Sequence, residues 1–304
     1  MKHNTKITVL LIGMFFLTQL IGLFVFTTYV NGVQLPYGME PPKEIQEKPQ
    51  GPLIIIAFII AVTLFFILIK IRAETFIRIW FFIVTILALG LAINAVLTNL
   101  NIYYSQLISI LIAIPLTYFK IFRRNIITHN ITELLIYPGI ASVFIPLLNI
   151  NWTILILLFI SLYDIYAVWH SEFMQKMAKY QINNLKFFTG FFIPYTSKKE
   201  KLKIEELKKK YGNNQVELEK QFMKSKIKIN LAILGGGDIV FPIITAGVFY
   251  KTYFSIIPAL IITLASTLAL LYLFMIAKKG KFYPAMPFIT IGIYLGMIVS
   301  WLIS

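Results

Sequence analysis

Two aspartates, Asp164 and Asp238, are the only ones in the 304-residue sequence, and each lies in an apolar stretch long enough to cross a membrane. An acidic side chain inside hydrocarbon costs at least a few kcal/mol, so it marks either a function or a dedicated pairing. Two facing carboxyls without neighbouring cations do not both ionise, because repulsion and desolvation oppose the second charge. Sharing one proton removes that difficulty and equips the pair for peptide hydrolysis. The ionised acid takes a proton from water, while the protonated one donates to the scissile carbonyl or the leaving amine. The pair titrates as a unit, so neither acid is a permanent base.

The residues around these acids suit a backbone that must be approached closely. Gly235, Gly236 and Gly237 precede Asp238, weakening the helix and removing side chains. A helical substrate shields its own peptide bonds, so it must unwind and have its freed groups satisfied. Pro284, Ala285 and Met286, followed by Pro287, offer carbonyls not committed to a regular helix. A strand-like contact with substrate is expected there. Asp164 also has a purely structural alternative, in which the hydroxyl of Tyr163 or Tyr166 holds it as interhelical glue.

Other chemistries find less support. With no cysteine, a thiol nucleophile and a Cys-based zinc site are excluded. His3, His129 and His170 lack the HExxH spacing of a zinc protease, so neither metal nor cofactor is expected. No serine sits in a Gly-x-Ser-x-Gly context. The rival from another class is a proton- or cation-coupled transporter or channel. Such folds often repeat their halves, however, and the two acid-bearing spans do not resemble each other.

The elements that position the acids follow from composition. With 58% hydrophobic and 13% charged residues, the chain falls in the all-α, multi-spanning membrane class. About 20 apolar residues cross a bilayer core, and nine stretches reach or approach that length: 7–27, 53–71, 76–98, 101–121, 132–149, 151–170, 228–250, 254–277 and 284–303. The chain reads as one polytopic domain over 1–304. An outer loop spans 28–52, with Pro36, Pro41, Pro42 and Pro49. A Lys-rich cytoplasmic segment over 171–227 is expected to be a solvated helical connection against anionic lipid.

With the N-terminus in the cytoplasm and the C-terminus outside, 25 of the 28 basic residues fall on the inner side; only Lys43, Lys48 and Lys251 fall on the other. The positive-inside rule explains the net charge of +15 better than nucleic-acid binding does. At 1.5 Å rise per residue, Asp164 lies about 9 Å before the end of its span and Asp238 about 15 Å after Lys228. The two can thus share one depth. Glu133, near the start of the fifth expected span, reads as an interfacial helix charge, and Gln19, Asn94 and Asn99 as interhelical or interface polar residues.

Tyr163-Asp164, Gly235-Gly236-Gly237-Asp238 and Pro284-Ala285-Met286 resemble the YD, GxGD and PAL motifs of the presenilin and signal peptide peptidase family, in the same order and on the corresponding spans. The resemblance implies a nine-span intramembrane aspartic endopeptidase with Asp164 and Asp238 as catalytic acids. It implies Tyr163 as a neighbour shaping the first acid, Gly235 to Gly237 as permissive backbone, and Pro284 to Met286 as the element that positions substrate. Met286 stands where the family has Leu, a change of similar volume. The Ile-Val-Phe-Pro after Asp238 looks like the signal peptide peptidase branch, whereas the charge-derived orientation looks like presenilin. The prepilin peptidases, which also use a GxGD aspartate, typically place a Lys soon after it, and Ile239-Val240-Phe241 supplies none. The implied partners are transmembrane helical substrates or signal-peptide remnants, those with an outside N-terminus if the orientation holds, in a lipid bilayer. An Ile-, Lys- and Asn-rich composition points to a prokaryotic plasma membrane.

Overall fold

The computed structural model describes residues 5–40, 51–123, 125–170, 180, 188–196, 198–211, 225, 229–278 and 283–303. Lys2, His3, Pro41, Pro42, Lys43, Lys48, Pro49, Arg124, Lys228, Lys279, Lys281 and most of segment 171–227 lie outside the described residues. The helices in chain order are α1 (Thr5–Val30), α2 (Gly51–Lys70), α3 (Glu74–Asn99), α4 (Ser105–Tyr118), α5 (Ile126–Phe144) and α6 (Ile150–Trp169), then α7 (Lys198–Tyr211), α8 (Gly236–Tyr253), α9 (Ile256–Ile276) and α10 (Met286–Ile303). A π turn over Phe119–Arg123 extends α4, and a 3-10 turn over Ile145–Leu147 extends α5. Among the described residues, seven helices are long and apolar enough to cross a membrane: α1, α3, α4 and α5 with their extensions, α6, α9 and α10.

The polarity of these helices is turned inward. Leu10, Ile83, Leu107, Leu162, Leu268 and Leu302 are exposed, while Thr18, Gln19, Asn94, Thr245, Thr263 and Ser266 are buried. Lipid is as apolar as leucine, so polar groups do better against another helix than against acyl chains. Gln19, Asn94 and Asn99 do this: Asn94 Nδ2 donates to Tyr29 Oη at 3.2 Å and Asn99 Nδ2 to Thr28 Oγ1 at 2.7 Å, joining α3 to α1. Gln19 Nε2 donates to the Ile239 carbonyl at 3.0 Å, joining α1 to α8.

Short polar residues start several helices. Asn125 and Asn149 accept from the Ile127 and Trp152 N–H groups at 2.9 and 3.0 Å, and Ser255 caps α9, each satisfying a donor that the first turn leaves orphaned. Small residues set the closest helix approach. A Cβ on Gly292 of α10 would lie 2.5 Å from Ala269 Cβ and 2.8 Å from the Ala265 carbonyl oxygen of α9, so only glycine allows that contact.

The described residues form two compact units, Met1–Phe191 with Gly235–Ser304, and Phe192–Leu234. The smaller holds α7 and most of a two-stranded sheet, β1 (Gly190–Thr196) paired with β2 (Ile229–Gly235). Two expectations are corrected here. The chain is not wholly α-helical, and the seventh apolar stretch is not one helix from 228. Residues Ile229–Gly235 of it form β2, with Ala232 and Leu234 buried and Leu231 and Ile233 exposed, the period-2 alternation of a strand. The segment expected to be a helical connection accordingly contains strand as well as helix.

Within the larger unit, α6, α8 and α10 touch one another pairwise, and α8 also packs on α1, α5 and α9. Lys251 fastens the far end of α8 by donating to the Pro146 and Leu148 carbonyls at 2.9 and 3.2 Å. The described part of the outer loop is anchored too: Tyr37 Oη lies 2.5 Å from Ser109 Oγ and donates to the Gln106 carbonyl at 3.1 Å.

Candidate active site

Asp238 stands at a helix start. Gly235, the last residue of β2, keeps an extended backbone (φ −67°, ψ 150°) and serves as the N-cap of α8. Asp238 is therefore the third residue of the helix, not one three turns in from Lys228. An acid at this position reaches back to the N-cap N–H in the manner of a capping box, and the Asp238 carboxyl makes that backbone hydrogen bond with Gly235. A Cβ on Gly235 would sit 3.2 Å from Asp238 Oδ2. Four residues on, Pro242 has no N–H to offer the Asp238 carbonyl, which leaves the first turn less tightly bonded.

Asp164 is held by a different helix start. Its side chain is buried in α6, with the residue 5% exposed, and its Oδ2 accepts a hydrogen bond from the Met286 N–H at 3.0 Å. The Ala285 backbone bonds to the same carboxyl. The first N–H groups of a helix have no partner within it and attract anions; here α10 directs them at an acid from α6. One turn away on each helix, Ser161 Oγ donates to Thr290 Oγ1 at 2.7 Å, keeping the two faces in register.

The two carboxyls are close enough for the charge of Asp164 to act on Asp238. Asp164 lies near the C-terminal end of its helix and Asp238 near the N-terminal end of its own. Asp164 is five residues before the end of α6, and Asp238 two residues after the start of α8, depths of about 7 and 3 Å at the helical rise.

The remaining expected residues divide. Tyr163 is half-buried and feels the Asp164 charge. Tyr166 is exposed and stacks on His170 with ring centroids 5.8 Å apart, so it does not bind the acid. Of Gly235, Gly236 and Gly237, Gly236 has the tightest neighbour: an added Cβ would meet the Tyr137 ring at 2.7 Å and its hydroxyl at 2.9 Å. Gly237 is exposed and faces open space. Pro284 is buried just before α10, and Ala285 and Met286 direct their backbone toward Asp164.

Sequence reasoning missed a buried charged group on α5, one turn before the Tyr137 that packs on Gly236. Because α5 begins at Ile126, Glu133 lies two turns inside the helix rather than at its interfacial start. It is ion-paired with Lys120, and both are buried. Opposite charges placed near the junction of two successive spans were the available signal.

The helices and the site define a class: a polytopic helical membrane protein in which one buried acid is bonded by the N-terminus of another helix and a second acid, at the start of a third helix, lies within range of its charge. The family model described as signal-peptide peptidase, presenilin aspartyl protease matches residues 12–304. The chain belongs to that family and is an intramembrane aspartyl protease. Its fold is similar to that of two solved structures, both described as a presenilin family intramembrane aspartate protease. One, in space group C222, aligns with TM-score 0.61 at 17% identity, covering 98% of this chain and 99% of the other. The second, in space group P2, aligns with TM-score 0.59 at 18% identity, covering 97% of each. No curated protein matches the sequence.

Proposed function

We propose that Asp164 and Asp238 are the catalytic dyad of this protease and that it hydrolyses peptide bonds within transmembrane segments or signal-peptide remnants. The observation that carries the reading is the hydrogen bond from the Met286 N–H to Asp164, which fixes one acid where α6, α8 and α10 meet. Asp238, on the neighbouring helix, is near enough to share its electrostatics.

A water between the carboxyls loses a proton to whichever is ionised and attacks the scissile carbonyl. The other acid donates its proton to that oxygen or to the leaving amine. Met286 and Ala285 orient Asp164, Gly235 orients Asp238, and the open space at Gly237 admits an unwound substrate backbone. Tyr163 shapes the surroundings of Asp164. Pro284, beside them, keeps this part of the chain out of the helix. The α2 and α8 helices complete nine spans, with the N-terminus in the cytoplasm, the C-terminus outside and a prokaryotic plasma membrane as the setting.

The test uses the purified protein reconstituted with a single-pass transmembrane substrate. Asp164→Ala and Asp238→Ala are each expected to abolish cleavage, with melting temperatures near that of the parent. Substantial cleavage by either variant would sink the assignment.

A further inference from the structure

We propose that Tyr137 is a positioning residue for Asp238, backed by the buried Lys120–Glu133 ion pair; this rests on Asp238 belonging to the catalytic dyad. Tyr137 is 4% exposed. Its ring is held edge-on by Phe191, with centroids 6.2 Å apart, and lies against Gly236, two residues before Asp238. The hydroxyl feels the charges of Glu133 and Asp238 and is directed at the Glu133 carboxylate, without a hydrogen bond of ordinary geometry among the described residues. A buried hydroxyl left in that state is costly. Its neighbours include two acids, so a small closure of the site gives the phenol O–H a carboxylate to donate to.

The ion pair explains what holds the phenol there. Glu133 lies one helical turn before Tyr137, on the same face of α5, and is paired with Lys120 from the π turn after α4. His129 completes the group: its Nδ1 is 3.2 Å from Lys120 Nζ and its Nε2 is 2.9 Å from the Gly190 carbonyl oxygen. A buried ion pair seldom adds stability over apolar residues of similar volume. Here it gives the Glu133 carboxylate, one turn from Tyr137, a buried counter-charge. With Lys120 opposite it, Glu133 is charge-balanced, and its carboxylate lies within reach of the Tyr137 hydroxyl.

The test measures kcat and KM of the full-length protein in liposomes, with a fluorogenic transmembrane substrate. Four forms are compared: the parent, Tyr137→Phe, the double variant Lys120→Met with Glu133→Gln, and the triple variant. Phe keeps the ring over Gly236. The expected result is a kcat lower by about tenfold or more in Tyr137→Phe with KM within about twofold, the size of one hydrogen bond to a charged group. The same substitution is expected to have a smaller effect in the double-variant background, because a coupled pair is not additive. Parental kcat in Tyr137→Phe, or an equal fold-loss in both backgrounds, overturns the proposal. If Tyr137→Phe does not fold, parental kcat in the double variant overturns it. Asp238→Ala is run alongside: no cleavage there with parental kcat in Tyr137→Phe rejects the positioning role and leaves the dyad standing, whereas cleavage by Asp238→Ala rejects both.

Discussion

Single residues decide how much of this site the sequence could reveal. Asp164 and Asp238 stand out because carboxylates are rare and expensive in apolar spans, and Gly235 to Gly237 stand out because a glycine run weakens a helix. The distinct tasks of those glycines could not be read, since each depends on what packs opposite. Gly236 is the position where a methyl group would collide with the buried Tyr137 ring, at 2.7 Å. Gly236→Ala is therefore expected to displace the first turn of α8 and lower kcat/KM by about tenfold or more, since a misplacement near 1 Å can cost about a hundredfold. Gly13→Ala in α1, where nothing lies within 4 Å, is expected to leave the rate within about twofold while its helix propensity improves. Steady-state cleavage of one substrate by the two variants makes the comparison, and equal rates would refute the packing argument. The Lys120–Glu133 pair was illegible for a similar reason. Each residue alone resembles an interfacial charge, and only folding reveals that both are buried against each other.

At the scale of elements, length and hydropathy located the helices, because a bilayer imposes a minimum apolar run. They failed at Ile229–Gly235. Seven mostly apolar residues fit a short strand as well as two turns of helix, and periodicity cannot separate these over so short a run. The strand places the helix start at Gly236, and with it the capping bond that orients Asp238. The α9–α10 contact belongs to the same scale. Its closeness rests on Gly292 against Ala265 and Ala269, and without a hydrophobic driving force in lipid such packing carries much of the association. Gly292→Val is expected to push the start of α10 away from α9 and destabilise the protein by about 1–3 kcal/mol, as overpacking does. Since α10 also holds Asp164 through Met286, activity is expected to fall at temperatures where the variant is still folded. Thermal unfolding in detergent and cleavage assays on the same preparation check both parts. An unchanged melting temperature would mean that the helices reseat without loss.

For the whole molecule, the distribution of charge argues for one orientation. Of the 28 basic residues, 25 fall on a single side when the apolar stretches are threaded alternately. One of the three exceptions has a structural cause: Lys251 is occupied by the Pro146 and Leu148 carbonyls and so carries little topological weight. In this orientation the end of α6 and the starts of α8 and α10 all face the cytoplasm, which puts both acids in the inner part of the membrane. The absence of cysteine makes the arrangement directly measurable, because any introduced thiol is the only one present. Glu40→Cys and Leu202→Cys occupy exposed positions in the outer-loop and sheet-bearing segments, respectively. An impermeant maleimide applied to intact cells is expected to label the first and to reach the second only after permeabilisation. The opposite pattern would invert the topology. It would also invert the class of substrate, since a helix entering the same site must then present its N-terminus from the cytoplasm.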